Sequence, residues 1–197
     1  MTIIILTALA LGILFGAGGL IPAFVLENID FLITFTLSLL VASIGLEFGG
    51  NRRVLSQIRS LGYQVILLPL AVAGGSIAGS ILLGFFLGAP AGESAAIGAG
   101  FGWYSFSGVM LTKLHSIELG TLAFLTNVSR EVLSILLIPT VARYGGPHAA
   151  VAPGGATTMD VTLPIIVRAA GPDMALMAFI NGLVLTILVP ILIPLLV

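Results

Sequence analysis

The chain has 197 residues, of which 58% are apolar and 8% charged, with a formal net charge of −1 and no cysteine. A soluble domain carries about 25% charged residues, so this composition cannot cover a water-facing surface and reads as an integral membrane protein. Disulfides and thiol chemistry are excluded, and with no basic tract and only two histidines, well apart, neither a nucleic-acid footprint nor a histidine-based metal site is expected.

A spanning helix needs about 20 apolar residues. Residues 2–20 form the first such stretch, and no basic region precedes it, so it reads as a retained helix and not as a signal peptide. Residues 29–49 form the second, after a short loop with Glu27 and Asp30. The segment 50–60, GGNRRVLSQIR, is the one basic cluster. Arg52, Arg53 and Arg59 place that loop in the cytoplasm and the N-terminus inside. Glu47 lies close to them and reads as an interfacial ion-pair partner. Residues 61–88 form a third span, and 118–142 and 173–197 two more. Between these lie two apolar but interrupted segments, 94–112 and 149–168.

The expected fold is therefore all-α and membrane-embedded: a single domain over 1–197 with about five spanning helices and two Gly/Pro-broken segments. If the broken segments re-enter, Arg143 and Arg168 share the cytoplasmic face and Lys113 lies outside. If they span, Lys113 and Arg168 are inside and Arg143 outside. Either way the C-terminus is outside. Sliding the chain by 55 residues pairs Gly100 with Gly155, Lys113 with Arg168, Ala123-Phe124 with Ala178-Phe179 and Ile138-Pro139 with Ile193-Pro194. This suggests an internal repeat, 97–142 and 152–197, inverted if each broken segment re-enters. Inverted repeats with discontinuous helices are a recurring plan of secondary transporters, and hairpins are the favoured form.

Three constellations carry candidate chemistry. In GAGFGWYSFSG (98–108), Gly100 and Gly102 let the backbone break and turn polar groups towards a cavity. Ser105 and Ser107 add hydroxyls, and Trp103 and Tyr104 offer faces to a cation. The alternative is a glycine-packed helix interface with aromatic anchors. In PGGATTMDVTLP (153–164), Gly154 and Gly155 break the helix. There Thr157, Thr158 and half-helix amides suit a substrate carboxylate. Asp160 suits an ammonium or a proton, or caps a half-helix. On the span 118–142, Asn127 and Glu131 share a face, and Arg130 points about 100° away. Ionisable residues at membrane depth are functional candidates by default; the alternative is an Arg–carboxylate pair that locks helices. His115 receives no role.

GFGWYSFSG (100–108), AFLTNVSRE (123–131) and GGATTMDVTLP (154–164), in this order and spacing, closely resemble the lysine exporter family over essentially the whole chain. The resemblance implies an inner-membrane secondary transporter, not an enzyme, that exports L-lysine and related cationic amino acids without cofactor or metal. Intramembrane acidic residues are needed in that family, and Glu131 falls on one such position. Proton antiport with Glu131 as coupling group is the expected mechanism. Typical members carry further spans before the point where this sequence begins, with another acidic residue. The resemblance therefore implies the longer half of a split exporter. Its expected partner is a small membrane subunit that supplies those spans, or further copies of itself. Alternatives are transport of another amino acid or an organic anion, and a non-transporting subunit of a split exporter.

Overall fold

The computed structural model describes residues 2–19, 21–50 and 64–197. The basic cluster Arg52, Arg53 and Arg59 and the side chain of Glu47 lie outside them. The chain divides into two compact units, Met1–Asn51 and Arg52–Val197. In the first, α1 covers Thr2–Ala17, α2 Ala23–Glu27 and α3 Ile29–Gly50. Pro22, which cannot continue a helix from behind, stands at the N-cap of α2. The Asn28 amide donates back to the Phe24 carbonyl at 2.8 Å and closes that short turn.

The second unit holds α4 (Gln64–Leu87), α5 (Ala91–Gly98), α6 (Tyr104–Leu114), α7 (Ile117–Gly145), a 3-10 segment (Ala149–Met159), α8 (Leu163–Ala170) and α9 (Met174–Leu196). Among the described residues three helices are long and apolar enough to cross a membrane: Ile66–Leu87, Ile117–Gly145 and Met174–Leu196. They fall where the apolar stretches of the sequence lie. Among the described residues of the second unit, α5 and α6 precede α7, and the 3-10 segment and α8 precede α9.

Helix α7 shows which solvent the fold answers to. Its buried face carries Gly120, Ala123, Asn127, Glu131, Ser134 and Ile138, at helical spacing. Leu122, Leu125, Val132, Leu133 and Leu136 point outwards and are more than half exposed. A helix in water turns its leucines in and its carboxylates out. Here the order is reversed, which is stable only against hydrocarbon. Packing in that solvent gains nothing from hiding leucine and relies on close approach of small residues. At the α6–α7 contact, a Cβ on Gly120 would stand 2.6 Å from the Gly108 carbonyl, so only glycine permits this approach. Ile138, Ala150, Val151, Ile166, Met177 and Ile180 form the apolar cluster joining α7, the 3-10 segment, α8 and α9.

Local signals set the element ends. Ser116 caps α7 by accepting the Leu119 N–H at 3.2 Å, with Glu118 in the first turn and Arg143 in the last, each matched to the helix dipole. Pro164 lies in the first turn of α8, where its missing N–H costs nothing.

Candidate functional site

The two breaks of the second unit touch. α5 ends at Gly98, and the chain passes through Phe101 (φ 48°) and Gly102 (φ 95°) before α6 begins. The 3-10 segment is interrupted at Gly155 (φ 59°, ψ −126°). The Ala156 N–H donates to the Phe101 carbonyl at 2.8 Å, so one broken backbone satisfies the other. Gly155 makes this contact feasible, because a Cβ there would run into the Phe101 carbonyl oxygen.

Broken helices leave polar groups that lipid cannot satisfy. Asn127 of α7 meets those of the first break. Its Oδ1 accepts the Gly102 N–H at 2.7 Å, and its Nδ2 donates to the Ala123 carbonyl at 2.9 Å and the Ile97 carbonyl at 3.2 Å. Ser107 Oγ lies 3.4 Å from the same nitrogen. Asn181 of α9 serves the second break, with Nδ2 donating to the Gly155 carbonyl at 3.1 Å and to Thr158 Oγ1 at 3.0 Å. The Thr157 and Thr158 hydroxyls donate to the Gly154 and Gly155 carbonyls, each at 2.8 Å.

Arg130 stands at the crossing. Its Nε donates to the Pro153 carbonyl at 3.1 Å, Nη2 to the Ala152 carbonyl at 3.4 Å and Nη1 to Ser76 Oγ at 2.6 Å. Ser76, on α4, in turn donates to the Gly98 carbonyl at 2.8 Å. Ser134 Oγ lies 2.6 Å from the Pro153 carbonyl. The guanidinium thus faces the carbonyl ends of two half-helices, α5 through Ser76 and the first part of the 3-10 segment directly. Those ends carry partial negative charge, which a cation complements. Glu131, one residue further, is buried on the inward face of α7.

The residues singled out from sequence are distributed as follows. Gly100, Gly102, Gly154, Gly155, Asn127, Ser107, Thr157 and Thr158 are buried around the two breaks. A Cβ on Gly100 would stand 2.5 Å from Asn127 Nδ2, and one on Gly154 2.5 Å from Thr162 Oγ1. The Trp103 ring stacks on Phe106 at 4.6 Å between centroids, and Tyr104 meets Phe124 edge-on at 5.5 Å. Ser105 is half-buried. Asp160 is exposed, and its Oδ1 accepts the Val161 N–H at 2.6 Å. It sits at the end of the 3-10 segment, whereas Thr162 holds the N-cap position of α8. Sequence reasoning passed over Ser76, Ser134 and Asn181. Asn181 had a signal, a lone amide inside an apolar span. The 55-residue register pairs it with Thr126, one place short of Asn127, and so concealed it. His115 has a neighbour not foreseen: its Nε2 lies 3.7 Å from a Glu93 carboxylate oxygen, at the surface. Among the described residues no group of three His, Asp or Glu is placed to hold a metal ion.

The arrangement has a counterpart in known sequences. The family model for the lysine exporter LysO matches residues 6–197. The chain belongs to the lysine exporter LysO family. The match takes in both breaks, the helix that carries Asn127, Arg130 and Glu131, and α9. Lysine exporter LysO of Escherichia coli is 37% identical over 159 residues, which is 81% of this chain and 52% of that protein. A Haemophilus influenzae protein, whose name likewise refers to lysine export, is 33% identical over 158 residues, 80% of each chain. This LysO-family chain thus spans about half the length of the Escherichia coli relative. No solved structure matches it.

Proposed function

We propose that this LysO-family chain is a secondary transporter that exports L-lysine or a related cationic amino acid across the cytoplasmic membrane. One observation carries the reading: α7 buries a carboxylate, Glu131, one turn from Asn127, which bonds the backbone of the first break, while its leucines face outwards. Discontinuous segments that meet between helices are where secondary transporters bind substrate and coupling ion. The relatives named for lysine export supply the substrate class.

Export of a cation from a negative interior opposes the membrane potential by about 2.3 kcal/mol per charge per 100 mV. Exchange against inward-moving protons overcomes this, and Glu131 is the group we assign to carry them. The Thr157 and Thr158 hydroxyls spend their hydrogens on carbonyls, which leaves them none to donate to a ligand carboxylate. This counts against the carboxylate-binding role expected for these hydroxyls. The spans that precede this region in longer relatives are supplied by a small membrane subunit or by further copies of the chain. The two broken segments re-enter, with the N-terminus inside and the C-terminus outside.

Lysine counterflow in vesicles tests the proposal, with the chain reconstituted alone and together with a small membrane subunit. Wild type exchanges lysine in at least one of the two; Glu131→Gln inserts normally and exchanges none. Counterflow by Glu131→Gln at the wild-type rate and pH dependence sinks the role of Glu131. Absence of counterflow by wild type in both arrangements sinks the transporter reading.

A further inference from the structure

We propose that Gly155, Thr158 and Asn181 form a binding site for a monovalent metal cation of the size of Na⁺. That such an ion supports the proton-driven transport rests on the function proposed above; that it binds does not.

Three polar atoms form a small triangle. Thr158 Oγ1 lies 2.8 Å from the Gly155 carbonyl oxygen, and Asn181 Nδ2 lies 3.1 Å from that oxygen and 3.0 Å from the hydroxyl. Thr158 and Asn181 are fully buried. At the remaining end of the amide, Asn181 Oδ1 is buried with no hydrogen-bond partner. A buried acceptor left unmade costs about 1–3 kcal/mol, so this arrangement is incomplete.

The first break is the internal control. Asn127 also supports a broken backbone from a long helix, but its Oδ1 accepts the Gly102 N–H. No N–H plays that part for Asn181. The Gly155 carbonyl is acceptor-only, so in the absence of an ion the amide must turn its nitrogen towards it, which strands the oxygen.

Rotating the amide by half a turn replaces the nitrogen corner with oxygen. The triangle then consists of a carbonyl, a hydroxyl and an amide oxygen about 3 Å apart. Such neutral oxygens from an unwound helix are what hard monovalent ions take in place of water. The ion thus gives the amide oxygen a partner, while the NH2 group moves to the position the oxygen left. None of the three residues carries a formal charge, and Arg130 Nη2 would stand 3.0 Å from a Cβ built on Gly155, so a fixed cation is already close by. Both facts favour a singly charged ion over a divalent one. The complete burial of Thr158 and Asn181 favours a bare ion over the ammonium of an amino acid.

The test uses the purified chain in detergent, with thermal unfolding followed by the fluorescence of Trp103, its single tryptophan. NaCl is titrated against choline chloride at constant ionic strength. Wild type gains a saturable rise in melting temperature with Na⁺ and none with choline. Thr158→Val loses the response and Thr158→Ser keeps it. Asn181→Asp, which offers oxygen in both orientations and adds a charge, half-saturates at about tenfold lower Na⁺. A purely structural amide has no reason to gain affinity in this way. Equal shifts in Na⁺ and choline overturn the site, as does a wild-type Na⁺ response in Thr158→Val. Loss of lysine counterflow with the Na⁺ response intact counts against the transport reading alone. Intact counterflow without any Na⁺ response counts against the site alone.

Discussion

A primary amide buried away from water has two N–H groups and a carbonyl to satisfy, and Asn127 satisfies them all across the first break. Leucine at this position fills the volume but orphans the Gly102 N–H. Asn127→Leu is expected to lose about 1–3 kcal/mol, read as a lower unfolding midpoint in detergent. The glycines at the crossing differ in a way that composition hides. At Gly102 an added Cβ meets nothing closer than 3.5 Å, so alanine there costs only the strain of its positive φ, about 1–2 kcal/mol. At Gly155 the same Cβ collides with the Phe101 carbonyl besides adopting φ 59°. Gly155→Ala should therefore separate the two breaks and lower the melting temperature well beyond Gly102→Ala. Equal effects in the pair would show that the breaks do not depend on this contact. The sequence marked both glycines, because clustered Gly and Pro permit breaks in a membrane helix. It could not rank them, since the rank is set by an oxygen 54 residues away.

At the scale of elements, the organising pair is a helix end and a cation. The carbonyls of Ala152 and Pro153 stand just before the break, and Arg130 donates to both from α7. A guanidinium presents a planar fork of five N–H groups, which suits acceptors arriving from separate elements. Arg130→Lys keeps the charge but reaches fewer of them, and hydrogen bonds to charged groups are worth about 1.5–3 kcal/mol each. It is expected to lose about 3 kcal/mol with helix content by circular dichroism unchanged; an unaltered midpoint would refute the assignment. From the sequence, an Arg–carboxylate lock was the structural alternative for Arg130. The bonds found go instead to carbonyls and to Ser76, since a half-helix end is itself a negative partner. The positions of the long helices were legible among the described residues, because apolar length and end signals are local, whereas the short α2 falls where a loop was expected. The partners Ser76 and Ser134 were not, since an isolated serine in an apolar run also occurs where it merely bonds its own helix.

At the scale of the whole molecule, the polar face of α7 turned inwards fits a chain that lies in lipid. Whether the broken segments re-enter has a direct readout, because the sequence contains no cysteine to mask. Single cysteines replacing Arg143 and Arg168 should label with an impermeant maleimide from the same face if the second segment is a hairpin. Labelling from opposite faces would establish a full crossing and remove the inversion from the proposed repeat. The membrane character, the helix positions and the two breaks follow from the sequence by itself, because composition and helix-ending residues act over a few neighbouring positions. Only the tertiary structure decides that the breaks touch, that Arg130 closes two half-helix ends and that Asn181 carries an unanswered oxygen. Those outcomes depend on which distant groups satisfy a backbone that lipid leaves bare. The bond from Arg130 to Ser76 spans 54 residues, a distance over which no local pattern carries information.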